Sequence, residues 1–212
     1  MSVVHEIDHP LVRHKLAVLR NKNTSVKEFR ELVGEISALM FYEASRNLPT
    51  EEILVETPLA VAKCRQLAGK KLAIIPILRA GLGMVDTIVA LIPSAKIGHI
   101  GLYRDPETHK PVEYYCKLPD DIGNREVFVV DPMLATGGSM ELAYEALSSK
   151  GTPKHIHIAS VIASKQAIDF IQQKLPKNTT VWVAAIDPVL NSQAYIVPGL
   201  GDAGDLAFGE KL

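Results

Sequence analysis

The residues that could do chemistry are concentrated in one loop, which follows the carboxylate of Asp131. That loop contains two hydroxyl residues and two adjacent glycines within Thr136 to Ser139. Glycines lack a Cβ atom and let backbone N–H groups approach an anion, and a following helix adds unpaired donors at its N-terminus. Since a carboxylate repels a phosphate, Asp131 is expected to face either a sugar hydroxyl or a bound cation. These residue types indicate a site for a sugar phosphate.

A strand and a helix are predicted to hold this loop in place. Residues 127–130 form an apolar, largely β-branched run, typical of a parallel strand that is covered on both faces. Pro132 lacks a backbone donor, so the chain is expected to leave the sheet there. Ser139 is expected to cap a helix that ends near Lys150 and Gly151. Because ligands bind at the carboxyl ends of parallel strands, the loop is expected to open onto a crevice.

The rest of the chain alternates strand and helix patterns, which predicts an α/β fold with a mostly parallel central sheet flanked by helices. The expected strands are 72–78, 96–103, 155–162 and 180–186, and the expected helices are an N-terminal pair, 10–20 and 26–46, followed by 84–91 and 165–174. The secondary structure of the segment 51–71 is left undecided: residues 53–55 are interpreted as a short strand, and residues 61–67 as either a strand or a helix.

Two further segments depart from this rhythm. Residues 104–117 combine prolines with mixed charges, which predicts a protruding and mobile hairpin arm. Residues of about 188–212 are rich in glycine and acids, which predicts an ordered functional loop without regular elements. We call this tail the C-terminal hood.

The composition narrows the class of protein. A chain of 212 residues with a net charge of −1 predicts one domain over residues 1–212, with neither nucleic acid nor a membrane as partner. Cys64 and Cys116 stand in no metal-binding spacing, so free thiols in a reducing compartment are expected. There is no signal-peptide pattern and no apolar run near about 18 residues, so a cytoplasmic location is expected.

Segments spread over nearly the whole chain carry a family pattern. They are HPLVRHKL at 9–16, FRELVGEISALMFYEA at 29–44, PILRAGLGM at 76–84, DPMLATGGS at 131–139 and YIVPGLGDAGD at 195–205. The segment 131–139 resembles the diphosphoribosyl-binding motif of type I phosphoribosyltransferases, and the segment 195–205 resembles the uracil branch of that family. The resemblance implies the type I phosphoribosyltransferase fold and an enzyme of pyrimidine salvage. Such an enzyme transfers a phosphoribosyl group from 5-phospho-α-D-ribose 1-diphosphate (PRPP) to uracil, giving UMP and diphosphate.

The resemblance also implies roles for individual residues. The residues expected to bind PRPP are Arg79, Arg104, Asp131, Pro132, Met133, Leu134, Ala135, Thr136, Gly137, Gly138, Ser139 and Asp202. Those expected to bind uracil are Ile196, Gly201, Asp202 and Ala203, and those expected to act in catalysis are Asp202, Asp131 and Arg104. Mg²⁺ is the implied cofactor, held mainly by the substrate and water rather than by protein ligands. A homodimer or homotetramer is implied, together with the GTP control that some family members show.

Other interpretations stay open beside these. Many relatives carry two adjacent acids at the strand end, whereas Pro132 follows Asp131 here, so Asp131 is expected mainly to position the ribose. The same scaffold could accept another base, or could belong to a regulator that binds nucleotide and RNA or DNA without turnover. Asp202 could equally well cap a turn, and turn capping is favoured for Asp205.

For two groups of side chains, the sequence favours a structural role over a functional one. His155 and His157 share one strand face, where a polar face is favoured over a metal pair. The tyrosines at positions 103, 114 and 115 could stack on a base, but packing within the hairpin is favoured.

Overall fold

The computed structural model describes residues 2–69, 72–105 and 111–209, without the side chain of Arg104. Residues 106–110 of the predicted arm lie outside the described part of the chain. Within that part, the helices are α1 (Pro10–Leu19), α2 (Val26–Ala44), α3 (Leu82–Leu91), α4 (Gly138–Lys150), α5 (Lys165–Lys174) and α6 (Ala203–Phe208). The strands are β1 (Val3–Glu6), β2 (Thr50–Glu56), β3 (Val61–Leu67), β4 (Ala73–Leu78), β5 (Lys96–Ile97), β6 (His99–Arg104), β7 (Pro111–Lys117), β8 (Glu126–Val130), β9 (Met133–Leu134), β10 (His155–Ser164), β11 (Thr179–Asp187), β12 (Val189–Leu190) and β13 (Ile196–Val197).

The main sheet confirms the predicted α/β architecture. Its strands run in the order β1, β11, β10, β8, β4, β6 and β7, with β5 beside β4 and β9 beside β10. The pairings within it are parallel except that of β6 with β7, which is antiparallel. Parallel neighbours need crossover connections, and helices supply several of them. The carboxyl ends of the parallel strands therefore meet at one edge of the sheet.

Two hydrophobic layers cover the central strands. Phe128 and Ile74 pack into the layer that contains the apolar faces of α1, α2 and α3. Their sequence neighbours Val129 and Ile75 pack into the opposite layer, which contains α4 and α5. Successive strand residues point to opposite faces, so an uninterrupted apolar run is needed where both faces are covered. The prediction of a doubly covered strand at 127–130 is confirmed.

The N-terminal helices form the predicted pair. Ser25 caps α2 by accepting a hydrogen bond from the Glu28 N–H at 3.3 Å. Helix α2 ends at Ala44, slightly before the expected end at residue 46. Its apolar stripe packs in the same layer as α1 and α3. No helix in the described part of the chain has the length and apolar composition needed to cross a membrane.

Two predictions for the central loop are wrong. The chain does not leave the sheet at Pro132, because β9 follows at once and pairs with β10. The Pro132 carbonyl still accepts a hydrogen bond from the Ile162 N–H at 3.0 Å, so the missing donor interrupts the pairing only locally. Ser139 does not cap α4. Gly137 precedes that helix with a φ of 88°, a left-handed conformation that favours glycine.

The structure decides the secondary structure of the described part of the segment 51–71 and changes that of the expected strand 96–103. Strands β2 and β3 pair antiparallel, so residues 61–67 form a strand. The expected strand 96–103 is divided at Gly98 into β5 and β6. A Cβ atom at Gly98 would lie 2.8 Å from Ile75 Cδ1 and 2.9 Å from the Lys117 carbonyl oxygen. Close packing at this point therefore requires glycine, which stands where the strand is interrupted.

The tail contains more regular structure than its composition predicts. Strands β12 and β13 pair antiparallel, and α6 begins inside the glycine-rich segment. Asp202 caps α6 by accepting a hydrogen bond from the Asp205 N–H at 3.0 Å, and Ala203 and Ala207 are buried. A cap and tertiary burial thus form a helix where glycine content disfavours one. The edge strand β1, which has little apolar pattern, is also outside the expected strands.

Candidate active site

A cleft of about 760 Å³ lies at the carboxyl ends of β4, β6, β8 and β9. The predicted residues that line it are Arg79, Asp131, Met133, Ala135, Thr136, Ser139, Gly201, Asp202 and Ala203. They come from three separate stretches, after β4, after β8 and around the start of α6. The fold therefore brings the phosphate-type loop and the hood to one crevice, where parallel α/β sheets bind ligands.

Other predicted residues are not among those lining the cleft. Within the described part of the chain, the predicted site residues that do not line the cleft are Pro132, Leu134, Gly137, Gly138 and Ile196. The side chains of Leu134 and Ile196 are buried in the two hydrophobic layers, so only their backbone atoms could meet a ligand. Arg104 is the last residue of β6, and its side chain lies outside the described part of the chain. The binding roles expected for these residues stay predictions.

One buried hydroxyl supports the loop between β9 and α4. Ser164 Oγ donates to the Ala135 carbonyl oxygen at 2.5 Å and accepts from the Ala167 N–H at 2.9 Å. The second bond caps α5, so the same side chain fixes both the helix and the loop. Ser164 thus ties the position of Ala135 in the cleft to helix α5, which does not itself line the cleft.

Close packing beneath the loop explains its first glycine. Phe170 of α5 lies under Gly137, where a Cβ atom would stand 2.6 Å from Phe170 Cδ1. Helix α4 starts just beyond, with Ser139 lining the cleft. The first N–H groups of a helix have no partner within it and carry the positive end of its dipole. The loop can therefore hold a phosphate with backbone donors.

Asp131 is half-buried between β8 and β9, at the wall of the cleft. Its Oδ1 accepts a hydrogen bond from the Met133 N–H at 3.3 Å. Burial raises the pKa of the Asp131 carboxyl to about 7, the Met133 N–H opposes this rise, and the Asp202 carboxylate adds to it. Both acids line the same cleft although they are far apart in sequence.

Arg79 faces the cleft beside the hood. Its Nη2 lies 2.9 Å from Asp205 Oδ1, and its Nη1 donates to the Gly209 carbonyl oxygen at 3.4 Å. The sequence favours turn capping for Asp205, but its carboxylate instead pairs with this arginine. Gly81 lets the turn close, since a Cβ atom there would lie 2.4 Å from the Val130 carbonyl oxygen. A guanidinium held in this way presents a permanent positive charge to an anion.

Sequence reasoning missed several residues of the cleft. Tyr103 and Tyr114 line it as well as packing within the hairpin, as the sequence favours, with ring centroids 6.4 Å apart. Gln193, Ala194 and Tyr195 line it from the turn between β12 and β13. Asn191 shapes that turn by accepting hydrogen bonds from the backbone N–H groups of residues 193 and 195. An asparagine after a strand is a turn signal that could have located this part of the site.

The histidine pair lies at the amino end of β10, away from the cleft. His155 Nε2 is 2.8 Å from Thr180 Oγ1, and His157 Nε2 is 3.3 Å from Glu126 Oε2. Trp182 Nε1 donates to His157 Nδ1 at 3.2 Å. No cluster of three or more potential ligands suited to a metal occurs among the described residues. These three histidine ring nitrogens contact protein groups, which agrees with the polar strand face that the sequence favours.

Known proteins share both the sequence and the fold described above. Residues 6–210 match the family model described as uracil phosphoribosyltransferase. Uracil phosphoribosyltransferases of Clostridium perfringens and Symbiobacterium thermophilum are 60% and 57% identical over 211 residues, with each chain covered completely. The solved structure of the AQ2163 protein from Aquifex aeolicus has a TM-score of 0.93 and 32% identity, covering 99% of this chain and 100% of that chain. A hypoxanthine-guanine phosphoribosyltransferase of Bacillus anthracis shares the fold alone, with a TM-score of 0.51 and 13% identity over 76% of this chain and 80% of that chain.

These similarities agree with the geometry of the cleft. The matched region contains the loop 131–139, the turn after β4 and the start of α6, which together form the crevice. The fold is that of the type I phosphoribosyltransferases, as its structural neighbours indicate. The extent of the match, and the identity shared over the whole length, place the chain among enzymes that transfer a phosphoribosyl group. The chain belongs to the uracil phosphoribosyltransferase family.

Proposed function

We propose that this cleft transfers the phosphoribosyl group of PRPP to uracil, giving UMP and diphosphate, as a reaction of pyrimidine salvage. The observation that carries the proposal is the meeting of the loop 131–139 with Gly201–Ala203 across one cleft. The loop has the features of a sugar-phosphate site, and the glycine-rich hood brings backbone groups close to a base. The full-length relatives named uracil phosphoribosyltransferase support the same reaction.

The sugar phosphate is assigned to the loop after β8. The backbone N–H groups from Ala135 to Ser139 would hold the 5′-phosphate, supported by the helix start at this point. Asp131 would accept hydrogen bonds from the ribose hydroxyls. Its raised pKa, which results chiefly from burial, favours a polar neutral partner over a second anion. Because Pro132 stands where a second acid would be, Asp131 acts by positioning rather than as half of a carboxylate pair.

The diphosphate is assigned to Arg79 and Arg104. Arg79 already lies in the cleft, and a planar guanidinium can bind two phosphate oxygens at once. Mg²⁺ fits the acids that face the cleft, since Asp131 and Asp202 are too few for a protein cage and substrate oxygens and water would complete its shell. When bound, Mg²⁺ would neutralise charge on the diphosphate.

Uracil is assigned to backbone groups of Ile196, Gly201 and Ala203, together with Asp202. The imide edge of uracil alternates acceptors with a donor, which backbone N–H and C=O groups can match. Cytosine would place a donor where uracil has an acceptor, leaving a buried group unpaired at a cost of about 1–3 kcal/mol. Base selection can therefore reside in the main chain of the hood.

The reaction forms a bond between uracil N1 and ribose C1′ and breaks the bond between C1′ and the diphosphate. The proton of N1 is lost, and the electron pair of the broken bond leaves with the diphosphate. One oxygen of Asp202 caps α6, and the other is the acceptor that we assign to the N1 proton. Positive charge develops on the ribose and negative charge on the leaving group. Cationic groups at the diphosphate therefore stabilise the transition state more than the ground state.

Assembly, regulation and location belong to the same proposal. A homodimer or homotetramer is supported by the hairpin of β2 and β3, where Leu54, Leu59 and Val61 are 70%, 97% and 65% exposed. A cytoplasmic location is supported by the two free thiols, Cys64 and Cys116. Control by GTP is proposed from the family resemblance alone, without an assigned site. The chain is proposed to act as one domain over residues 1–212.

Measuring diphosphate release with PRPP, Mg²⁺ and each of uracil, cytosine, hypoxanthine and orotate tests this function. We expect turnover with uracil, and for cytosine a kcat/KM lower by about ten- to hundredfold for each unpaired group. Turnover with another base but not with uracil would contradict the base assignment. Tight binding of nucleic acid without turnover would favour a regulator. Repeating the uracil assay with and without GTP tests the effector.

A further inference from the structure

A bidentate ion pair joins the N-terminal helices to the end of the sheet, behind the hood. Arg20 follows α1, and its Nη2 lies 2.7 Å from Asp187 Oδ1 while its Nη1 lies 2.8 Å from Asp187 Oδ2. Asp187 ends β11 and is only 5% exposed. Neither residue is among those that line the cleft. Planar, charge-assisted pairs of this kind fix geometry as well as contributing energy.

The same two side chains hold both backbone groups of one hood residue, Gly199. Arg20 Nη1 donates to the Gly199 carbonyl oxygen at 3.0 Å, and the Gly199 N–H donates to Asp187 Oδ2 at 3.0 Å. Gly199 has a φ of 60°, and a Cβ atom there would lie 2.0 Å from the Ile196 carbonyl oxygen. The backbone at Gly199 therefore packs closely against Ile196 and is also held by the ion pair.

This clamp acts at the middle of the segment proposed to read the base. Ile196 lies before Gly199, and Gly201 and Ala203 lie shortly after it. Recognition by backbone groups depends on where the main chain stands, because no side chain can adjust to correct an error. Binding constellations must be held within about 0.5 Å of the productive geometry by supporting contacts. A contact that fixes both backbone groups of Gly199 can supply that support.

We propose that Arg20 and Asp187 are positioning residues for uracil, and that they set the place of the hood backbone relative to the strand ends. The proposal rests on the function proposed above, because it concerns how that site selects its base. Loss of the pair frees the segment 196–203 and weakens uracil binding. The PRPP loop, which is held separately by Ser164, keeps its position.

Arg20→Gln, Asp187→Asn and the double variant test the proposal, with KM for uracil, KM for PRPP, kcat and the melting temperature measured for each. We expect KM for uracil to rise about tenfold or more while KM for PRPP stays within about twofold, because only the base half of the site is displaced. The double variant is expected to be no worse than the more damaging single one, since two residues that act as a unit are not additive.

Arg46→Gln is the matched control, because Arg46 forms a bidentate pair with Glu43 on the surface. It removes an arginine from an ion pair without touching the hood, so both KM values are expected to match those of the unmodified protein. If Arg20→Gln does not fold, Arg20→Lys takes its place. Lysine keeps the charge but lacks the planar fork, so a smaller rise in KM for uracil is expected from it.

The possible results distinguish this role from a merely structural one. Equal changes in the two KM values, or a fall in kcat alone that follows the folded fraction, would overturn the positioning role. Kinetics of the Arg20 variants indistinguishable from those of Arg46→Gln would overturn it as well. Absence of diphosphate release with uracil in both the unmodified protein and the control would instead overturn the proposed function, and the positioning role with it.

Discussion

Asp131 and Asp202 present the same chemical group to the cleft from different surroundings. Asp131 is half-buried, and its pKa is raised to about 7, chiefly by that burial. Asp202 stands at the start of α6, where one of its oxygens holds the helix cap. A substitution at either position therefore changes more than a charge. Each residue needs a variant that separates its chemistry from its structural bond.

Asp202→Asn separates the proposed catalytic role from the cap. Asparagine caps helices about as well as aspartate, so the melting temperature should stay within about 3 °C of that of the unmodified protein. We expect kcat/KM with uracil to fall by about 100-fold, because the carboxylate that accepts the N1 proton is lost. Asp202→Ala should lose the cap as well, at about 1 kcal/mol of stability. Near-normal turnover by the asparagine variant would show that Asp202 is only a cap.

The raised pKa of Asp131 predicts how the stability of the ligand-free protein depends on pH. Its folded-state pKa of about 7 exceeds the ordinary value of 3.8, so the folded state binds the proton more tightly than the unfolded state. The resulting stabilisation is fully present below pH 3.8 and is lost as the pH rises through about 7. Asp131→Asn removes this titration. Its melting temperature, relative to the unmodified protein, should therefore increase between about pH 5 and about pH 8.

A surface acid provides the comparison for that measurement. Asp169 pairs with Lys165 on the exposed face of α5, so Asp169→Asn should show little change in its relative melting temperature over the same range. A constant difference between Asp131→Asn and the unmodified protein at all pH values would contradict the raised pKa.

At the scale of elements, helices that do not line the cleft hold the segments that do line it in position. Helix α5 supports the phosphate loop through its cap residue Ser164 and through Phe170 under Gly137. The end of α1 supports the hood through Arg20. The two halves of the site thus have separate supports, and they should respond separately to substitution.

Ser164→Ala tests the support of the phosphate loop, with Ser25→Ala as its control. Both serines cap a helix, so both variants should lose about 1 kcal/mol of stability from the cap, and Ser164→Ala should lose more because its second hydrogen bond is removed too. Only Ser164 also holds a cleft residue, through its bond to the Ala135 carbonyl oxygen. We expect KM for PRPP to rise about threefold or more in Ser164→Ala alone, because the loop loses its position. Equal KM values for the two variants would show that the bond to the loop has no functional role.

At the scale of the whole molecule, the exposed hairpin predicts self-association. Strands β2 and β3 pair so that Leu54 opposes Lys63 and Glu56 opposes Val61, which puts Leu54 and Val61 on one face as diagonal neighbours. We expect light scattering to show a homodimer or homotetramer, because the exposed side chains of Leu54 and Val61 would be covered by another copy. Lysine at both positions 54 and 61 should shift the mass towards smaller species.

Leu11→Lys is the control for that prediction. Leu11 is also exposed, at 52%, but it lies on α1 rather than on the hairpin. The mass should therefore not change in this variant. A monomer in the unmodified protein would contradict the assembly, and equal effects of the two changes would contradict the role of the hairpin.

Local patterns in the sequence were enough to predict the parts of the fold that depend on neighbouring residues. The apolar run 127–130 and the helix at 165–174 follow from propensity and periodicity, which act over a few residues. The family resemblance proposed residues for the site, and nine of them line the cleft. It could do so without a structure because the motifs at 131–139 and 195–205 are themselves continuous segments.

Only the tertiary structure decided how those segments meet. The pKa of Asp131, the pairing of Arg79 with Asp205, and the clamp of Arg20 and Asp187 on Gly199 each join residues that are distant in sequence or depend on burial. Helix α6 likewise forms in a glycine-rich segment because a cap and buried alanines stabilise it. Such contacts depend on where the sheet brings remote stretches together. Short-range pattern carries no information about such contacts. The sequence therefore identified the segments that form the loop and the hood, whereas the fold determined their structure and the site between them.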